Sequence, residues 1–254
     1  NQIKFLVNMS YFEPRRFNIL PPVVKNLLII NGLLFLATIT LYNINIADLT
    51  KILGLHYWGA HNFETWQIIS HMFMHGGFFH LAFNMFAVWM FGSQLENLWG
   101  SKRFLNYYIL TGLGAALLHF LIIHIQILNL ENAMHTHEIE QVLEDGHLIL
   151  QSGKNYINEN MRTLNVLYNT PVVGASGALF GLLLAFGMLF PNALLMFLFF
   201  PFPIKAKYFV MIYGIAELYF GLQNNPNDNI AHFAHLGGMI FGFIIIKYWQ
   251  WNNK

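Results

Sequence analysis

The sequence predicts an all-α membrane protein: a bundle of six transmembrane helices with a membrane-embedded first loop. Three observations predict it. Of 254 residues, 56% are hydrophobic and only 10% are charged, where a soluble domain carries about a quarter charged residues. Long stretches lack Asp, Glu, Lys and Arg: between Lys25 and Asp48, Glu64 and Glu96, Arg103 and Glu131, Arg162 and Lys205, and Asp228 and Lys247. The basic residues that separate these stretches fall into two groups that alternate along the chain.

A spanning helix needs about 20 mostly apolar residues. The charge-free stretches accordingly predict spans near 26–46, 79–96, 104–127, 173–190, 207–222 and 229–249. The fifth is short and carries Glu217. Helices follow because backbone in lipid must satisfy its own hydrogen bonds. Residues 1–23 form an N-terminal segment, and 24–250 the membrane domain. The first 23 residues lack an uninterrupted apolar core and a small-residue cleavage site, which predicts no cleaved signal peptide.

Basic residues orient the bundle. Lys4, Arg15, Arg16 and Lys25 precede span one, and Lys102 and Arg103 lie between spans two and three. Lys205 and Lys207 precede span five, and Lys247 and Lys254 close the chain. The opposite side holds only Lys51, Lys154 and Arg162. This bias predicts both termini in the cytoplasm and a cytoplasmic-membrane location, with no Arg- and Ser-rich transit segment leading the chain.

Two outer segments are neither spans nor tight turns. Residues 47–78 carry Trp58, Trp66, Phe73 and Phe78 with little charge, which predicts a loop lying in the membrane interface. Residues 129–170 carry Glu131, Glu138, Glu140, Glu144, Asp145 and Glu159, which predicts a solvated, part-helical insertion. His135, His137 and His147 sit there at irregular spacing, so no metal site is expected.

Composition also limits the chemistry. A net charge of +1 gives no electrostatic footprint for nucleic acid. With no cysteine there is no disulfide, thiol nucleophile or thiolate metal site.

Polar groups inside spans are costly, so each is a functional candidate. Gly174-Ala-Ser-Gly177 opens span four. Ser176 would meet a helix N-terminus, whose first N–H groups lack intrahelical partners and favour developing negative charge. A packing reading stands beside this one, because Gly177 and Gly181 are spaced for close helix contact. In span six, His235, Gly238 and Gly242 fall at i, i+3 and i+7 on one face, which would admit a neighbouring helix against an imidazole. His232 is placed nearer the interface. In span two, His80 and Asn84 stack at i and i+4. The carboxylate and spacing of a zinc protease are missing.

Depth brings these groups together. At about 1.5 Å per residue, Asn84 and His235 lie roughly 10 Å inside their outer ends and Ser176 about 5–8 Å. One polar cavity in the outer leaflet accounts for all of them. A serine beside a histidine is the minimal nucleophile and base. Glu217 is the one intramembrane carboxylate that could reach His235, but the sequence reading favours a two-residue mechanism. Asn84, His80 and the Ser176 N–H could line an oxyanion hole.

At these residues the chain resembles the rhomboid intramembrane serine proteases. The resemblance rests on His75-Gly-Gly-Phe-Phe-His80-Leu-Ala-Phe-Asn84-Met, Gly174-Ala-Ser-Gly177 and Ala234-His235-Leu-Gly-Gly238-Met-Ile-Phe-Gly242, in order on spans two, four and six. It covers nearly the whole chain except 129–170. It implies Ser176 as nucleophile, His235 as base, and His80 with Asn84 on the oxyanion, with no metal or cofactor. It implies transmembrane-helix substrates within membrane lipid, cut near the outer leaflet. It also implies a membrane-embedded loop at 47–78 and a substrate gate at span five, where Pro201 and Pro203 precede the helix.

Three departures stand out. Gln67 follows Trp66 where the family often has arginine, which predicts a lost anchor in the first loop. Phe180 stands where a tyrosine is common, one turn after the nucleophile; its ring could still stack on His235 without a hydroxyl. The insertion before span four is long. Two other functions are open to such a scaffold. A non-catalytic membrane chaperone or binding protein on this scaffold would be marked by a missing Ser or His, and both are present. A transporter would need polar groups through both leaflets, and the inner halves of these spans are almost wholly apolar.

Overall fold

The computed structural model describes residues 17–197, 200–223 and 231–252. Lys4, Arg15, Arg16, Asp228 and Lys254, and with them most of the 1–23 segment, lie outside the described residues. The described chain is mostly helical.

Helix α1 runs Pro22–Asn43, with proline at its first position, where the missing N–H costs nothing. Its next two N–H groups donate to Glu96, at 3.0 Å from Val23 and 2.9 Å from Val24. Ser101 also donates to this carboxylate at 2.6 Å. Glu96 is thus a buried cap that pins the start of α1 to a neighbouring helix.

The first loop is ordered by short helices, α2 (Leu49–Leu53) and α3 (Gln67–Ser70), the latter followed by a 3₁₀ turn, His71–Phe73. Gln67 is 1% exposed and ties four backbone groups of the loop. Its carbonyl oxygen accepts from His56 at 3.2 Å and Glu64 at 3.1 Å, and its amide donates to the carbonyls of Asn62 at 2.8 Å and Ile52 at 3.4 Å. The expected loss of an anchor is therefore corrected: glutamine offers both donors and an acceptor, and the loop is held by that mixture.

The second helical run spans α4 (Phe78–Ala87), a π-turn (Val88–Gly92) and α5 (Ser93–Trp99). Helix α6, Ser101–Asn132, has 32 residues, and at about 1.5 Å per residue it exceeds the roughly 30 Å hydrocarbon thickness. Its excess supports a hairpin of α7 (Thr136–Gln151) and α8 (Glu159–Asn169). The hairpin buries Val142, Met161 and Leu164 against Ile123 and Ile127 of α6 and Tyr57 of the first loop, so the insertion expected to be solvated shares a small core with the helix and loop beneath it.

Helix α9, Ser176–Leu189, is apolar and small-residue-rich, and nine of its 14 residues are buried. A helix apolar all round belongs in a bundle centre, and α6, α10 and α11 pack on it. An antiparallel hairpin then follows, β1 (Leu194–Phe197) with β2 (Phe200–Lys205), which the all-α expectation lacked. Pro201 and Pro203 have no N–H to continue a helix, and the chain runs extended there. Helix α10 covers Ala206–Gln223 and α11 covers His232–Asn252.

By length and apolar composition, α1 and α6 are the helices long enough to cross a membrane among the described residues, with α9 shorter. Exposed apolar side chains run along the outside, among them Leu33 and Leu36 of α1, Phe79 and Phe83 of α4, and Ile212 and Ile215 of α10. Water does not tolerate so continuous an apolar surface, and lipid does. This is a membrane protein.

Candidate active site

The loop before α9 is tied at both ends. Leu55 and Val172 exchange two backbone hydrogen bonds of 2.9 Å, and the Gly174 N–H donates to the His71 carbonyl at 2.9 Å. Gly174 has φ +132°, where side-chain-bearing residues rarely fit, and a Cβ there would stand 2.9 Å from His80 Nε2 and 3.6 Å from Ser176 Oγ. The turn thus needs glycine, and it sets the His80 ring close to the first residue of α9.

Four of the sequence-predicted glycines bring the helices together. A Cβ at Gly177 would stand 2.5 Å from Ala115 of α6, and one at Gly181 would stand 2.6 Å from Thr111. Gly238 of α11 faces the Gly177 carbonyl so closely that a Cβ would overlap it, and a Cβ at Gly242 would stand 3.3 Å from Gly181 Cα. The Tyr107 hydroxyl donates to the Gly181 carbonyl at 2.8 Å, adding α6 to this contact. With no side chains between them, α9 and α11 lie close enough for a serine and a histidine to meet.

They do meet. Ser176 Oγ lies 2.9 Å from His235 Nε2. The opposite side of the same ring lies against α10: His235 Nδ1 is 2.9 Å from Glu217 Oε2, and His232 Nδ1 is 2.6 Å from the same oxygen. Glu217, His232 and His235 are all buried. Phe180 stacks on His235 with centroids 4.1 Å apart and planes 6° from parallel. The hydroxyl missing from this ring does not prevent that stacking.

The pair has a carboxylate behind it, Glu217, the residue the sequence offered as able to reach His235. His232 is buried on that carboxylate rather than interfacial. The signal was present, since His232 and His235 are three apart and share a helix face. What the sequence could not supply was the rotation of α10 that turns Glu217 toward both rings.

His80 and Asn84 stand on α4, one turn apart. The Asn84 amide donates to the His80 carbonyl at 2.9 Å, which occupies one of its two N–H groups. His75 packs edge-on against His80, with centroids 5.0 Å apart. Burial, with the His80 ring alongside, pushes His75 down to about 4, so it is neutral at ordinary pH. His71 is buried too, and that burial also pushes it down to about 4. Among the described residues, Glu217, His232 and His235 have ligand-type atoms within 4.8 Å of one another and could hold a divalent cation. His135 instead forms a capping box with Glu138 at the start of α7.

The described chain is thus a helical membrane protein in which a serine and a histidine meet between two glycine-packed helices. The Rhomboid domain model matches residues 62–251. The chain belongs to the rhomboid family. It is 28% identical over 190 residues to the "Putative rhomboid protease YdcA" of Bacillus subtilis, covering 74% of this chain and 68% of that one. It is 27% identical over 193 residues to the "Rhomboid protease AarA" of Providencia stuartii, covering 72% of this chain and 55% of that one. To the "Rhomboid protein 1, mitochondrial" of Saccharomyces cerevisiae it is 26% identical over 178 residues, covering 70% and 40%. The latter two relatives thus extend well beyond the aligned region.

Proposed function

We propose that the chain is an intramembrane serine endopeptidase that cuts transmembrane-helix substrates near the outer leaflet. The observation that carries the reading is the 2.9 Å contact between Ser176 Oγ and His235 Nε2. Protease-named relatives support it.

His235 Nε2 takes the Ser176 proton as Oγ attacks the scissile carbonyl. The oxyanion faces the Ser176 N–H at the start of α9, His80 Nε2 and the second amide proton of Asn84. Loss of one such donor typically costs about 3–4 kcal/mol in barrier height. Collapse passes the proton from His235 to the leaving amine and leaves an acyl-enzyme on Ser176. Water, deprotonated by His235, then attacks the ester and frees the serine. This chemistry needs no metal and no cofactor.

The bundle is read as six spans: α1, the 78–99 run, α6, α9, α10 and α11. Both termini then lie in the cytoplasm of a cell whose cytoplasmic membrane holds the protein, and 129–170 lies outside. The length of α9 supports the depth of the site. Its 14 residues cover about 21 Å, short of the roughly 30 Å core, which fits a Ser176 that starts below the external surface. Substrate would enter beside α10.

The test is cleavage of a purified, membrane-anchored substrate. Ser176→Ala and His235→Ala should each abolish turnover while the protein still folds and inserts. A fluorophosphonate should label Ser176 only when His235 is present. Near-normal turnover by either variant would overturn the assignment.

A further inference from the structure

Resting on the protease reading, we infer that Glu217 is a positioning residue, held by His232, that fixes His235 in the tautomer able to act as a base. Serine, histidine and glutamate then line up across α9, α11 and α10, with the carboxylate orienting the imidazole and keeping its own charge.

The face of α10 that meets α11 is built around this carboxylate. Gly214, Glu217 and Gly221 share it by their spacing. A Cβ at Gly221 would stand 3.2 Å from His232 Cβ, and one at Gly214 would stand 3.1 Å from Met239 Cε. Glycines on either side therefore let the backbones approach, and the glutamate reaches two imidazoles at once. Both rings are clamped from the side: Phe180 stacks on His235 and Phe220 on His232.

The hydrogen bonds set the proton positions. An ionised carboxylate only accepts. Both Nδ1 atoms meet one oxygen of Glu217, at 2.6 Å and 2.9 Å, so both carry hydrogen. His235 with hydrogen on Nδ1 has a lone pair on Nε2, which faces Ser176 Oγ at 2.9 Å. The other tautomer would set a bare nitrogen against a carboxylate oxygen and an N–H against the nucleophile. When His235 accepts the serine proton, the imidazolium forms beside the carboxylate in a site of low dielectric, where the attraction is strong. His232 supplies a second donor, which offsets the cost of burying the charge of Glu217.

The experiment uses the full chain in lipid nanodiscs with a membrane-anchored substrate. Glu217→Gln keeps the shape and removes the charge, and should lower kcat by at least about tenfold with KM nearly unchanged. The upper bound is the roughly 10⁴-fold loss found when the carboxylate of a serine-protease triad is replaced by its amide. Glu217→Asp should restore most of that loss, which a purely structural defect would not allow. In the wild type, the ¹⁵N shifts of the His235 ring should show hydrogen on Nδ1 and a bare Nε2, and Glu217→Leu should mix the two tautomers. Hydrogen on Nε2 in the wild type, or kcat within twofold for Glu217→Gln, would overturn the inference. A wild type with no Ser176-dependent cleavage would overturn the protease reading instead, and the ring shifts would still decide the role of Glu217.

Discussion

Gly174 is where the backbone and the proposed chemistry constrain each other most tightly. Its φ of +132° and the 2.9 Å clearance to His80 leave no room for a methyl group. Gly174→Ala should cost about 1–3 kcal/mol in backbone strain. It should also displace the His80 ring, so that turnover falls by about 100-fold while labelled protein still inserts. Thermal melting and cleavage rate in the same detergent check both parts, and full activity in the alanine variant would show that the turn is permissive. Gln67 teaches a related lesson. The sequence shows a residue shorter than arginine and uncharged, and that suggests a lost anchor. Its four hydrogen bonds depend on where the loop backbone folds around it, which no local pattern encodes.

The first loop is the element whose stability should depend on pH. His71 and His75 are neutral in the fold because burial pushes both down to about 4. In the unfolded chain each titrates near 6.5. Between these values the unfolded state binds protons that the folded state does not, so stability falls as pH drops from about 6.5 toward 4 and is full above that window. The melting temperature of the wild type should decline over this range. His75→Gln should flatten the decline, and a pH-independent melting curve for the wild type would contradict the burial of these rings. Helical elements were otherwise legible from charge spacing: α10 at Ala206–Gln223 lies within a residue of the expected 207–222. Less legible were the π-turn at Val88–Gly92 and the hairpin at Leu194–Lys205. Both sit in apolar sequence, where periodicity cannot tell strand from helix.

The whole molecule makes a topological prediction that its lack of cysteine makes easy to check. A single cysteine introduced at Lys154, in the α7–α8 connection, should react with a membrane-impermeant maleimide on intact cells. One introduced at Lys102, between α5 and α6, should react only after the membrane is opened. The reverse pattern would invert the orientation. At this scale, composition alone required a membrane environment, because so many apolar side chains cannot be hidden inside 254 residues. Order and spacing along the chain also marked Ser176, His80, Asn84 and His235 as one polar layer, since helix rise converts residue number into depth. Neither could show that Glu217 reaches His232 and His235. That contact depends on how α10 is rotated and how closely two glycines let it approach α11, and rotation about a helix axis is settled by packing between helices rather than by either strand of sequence.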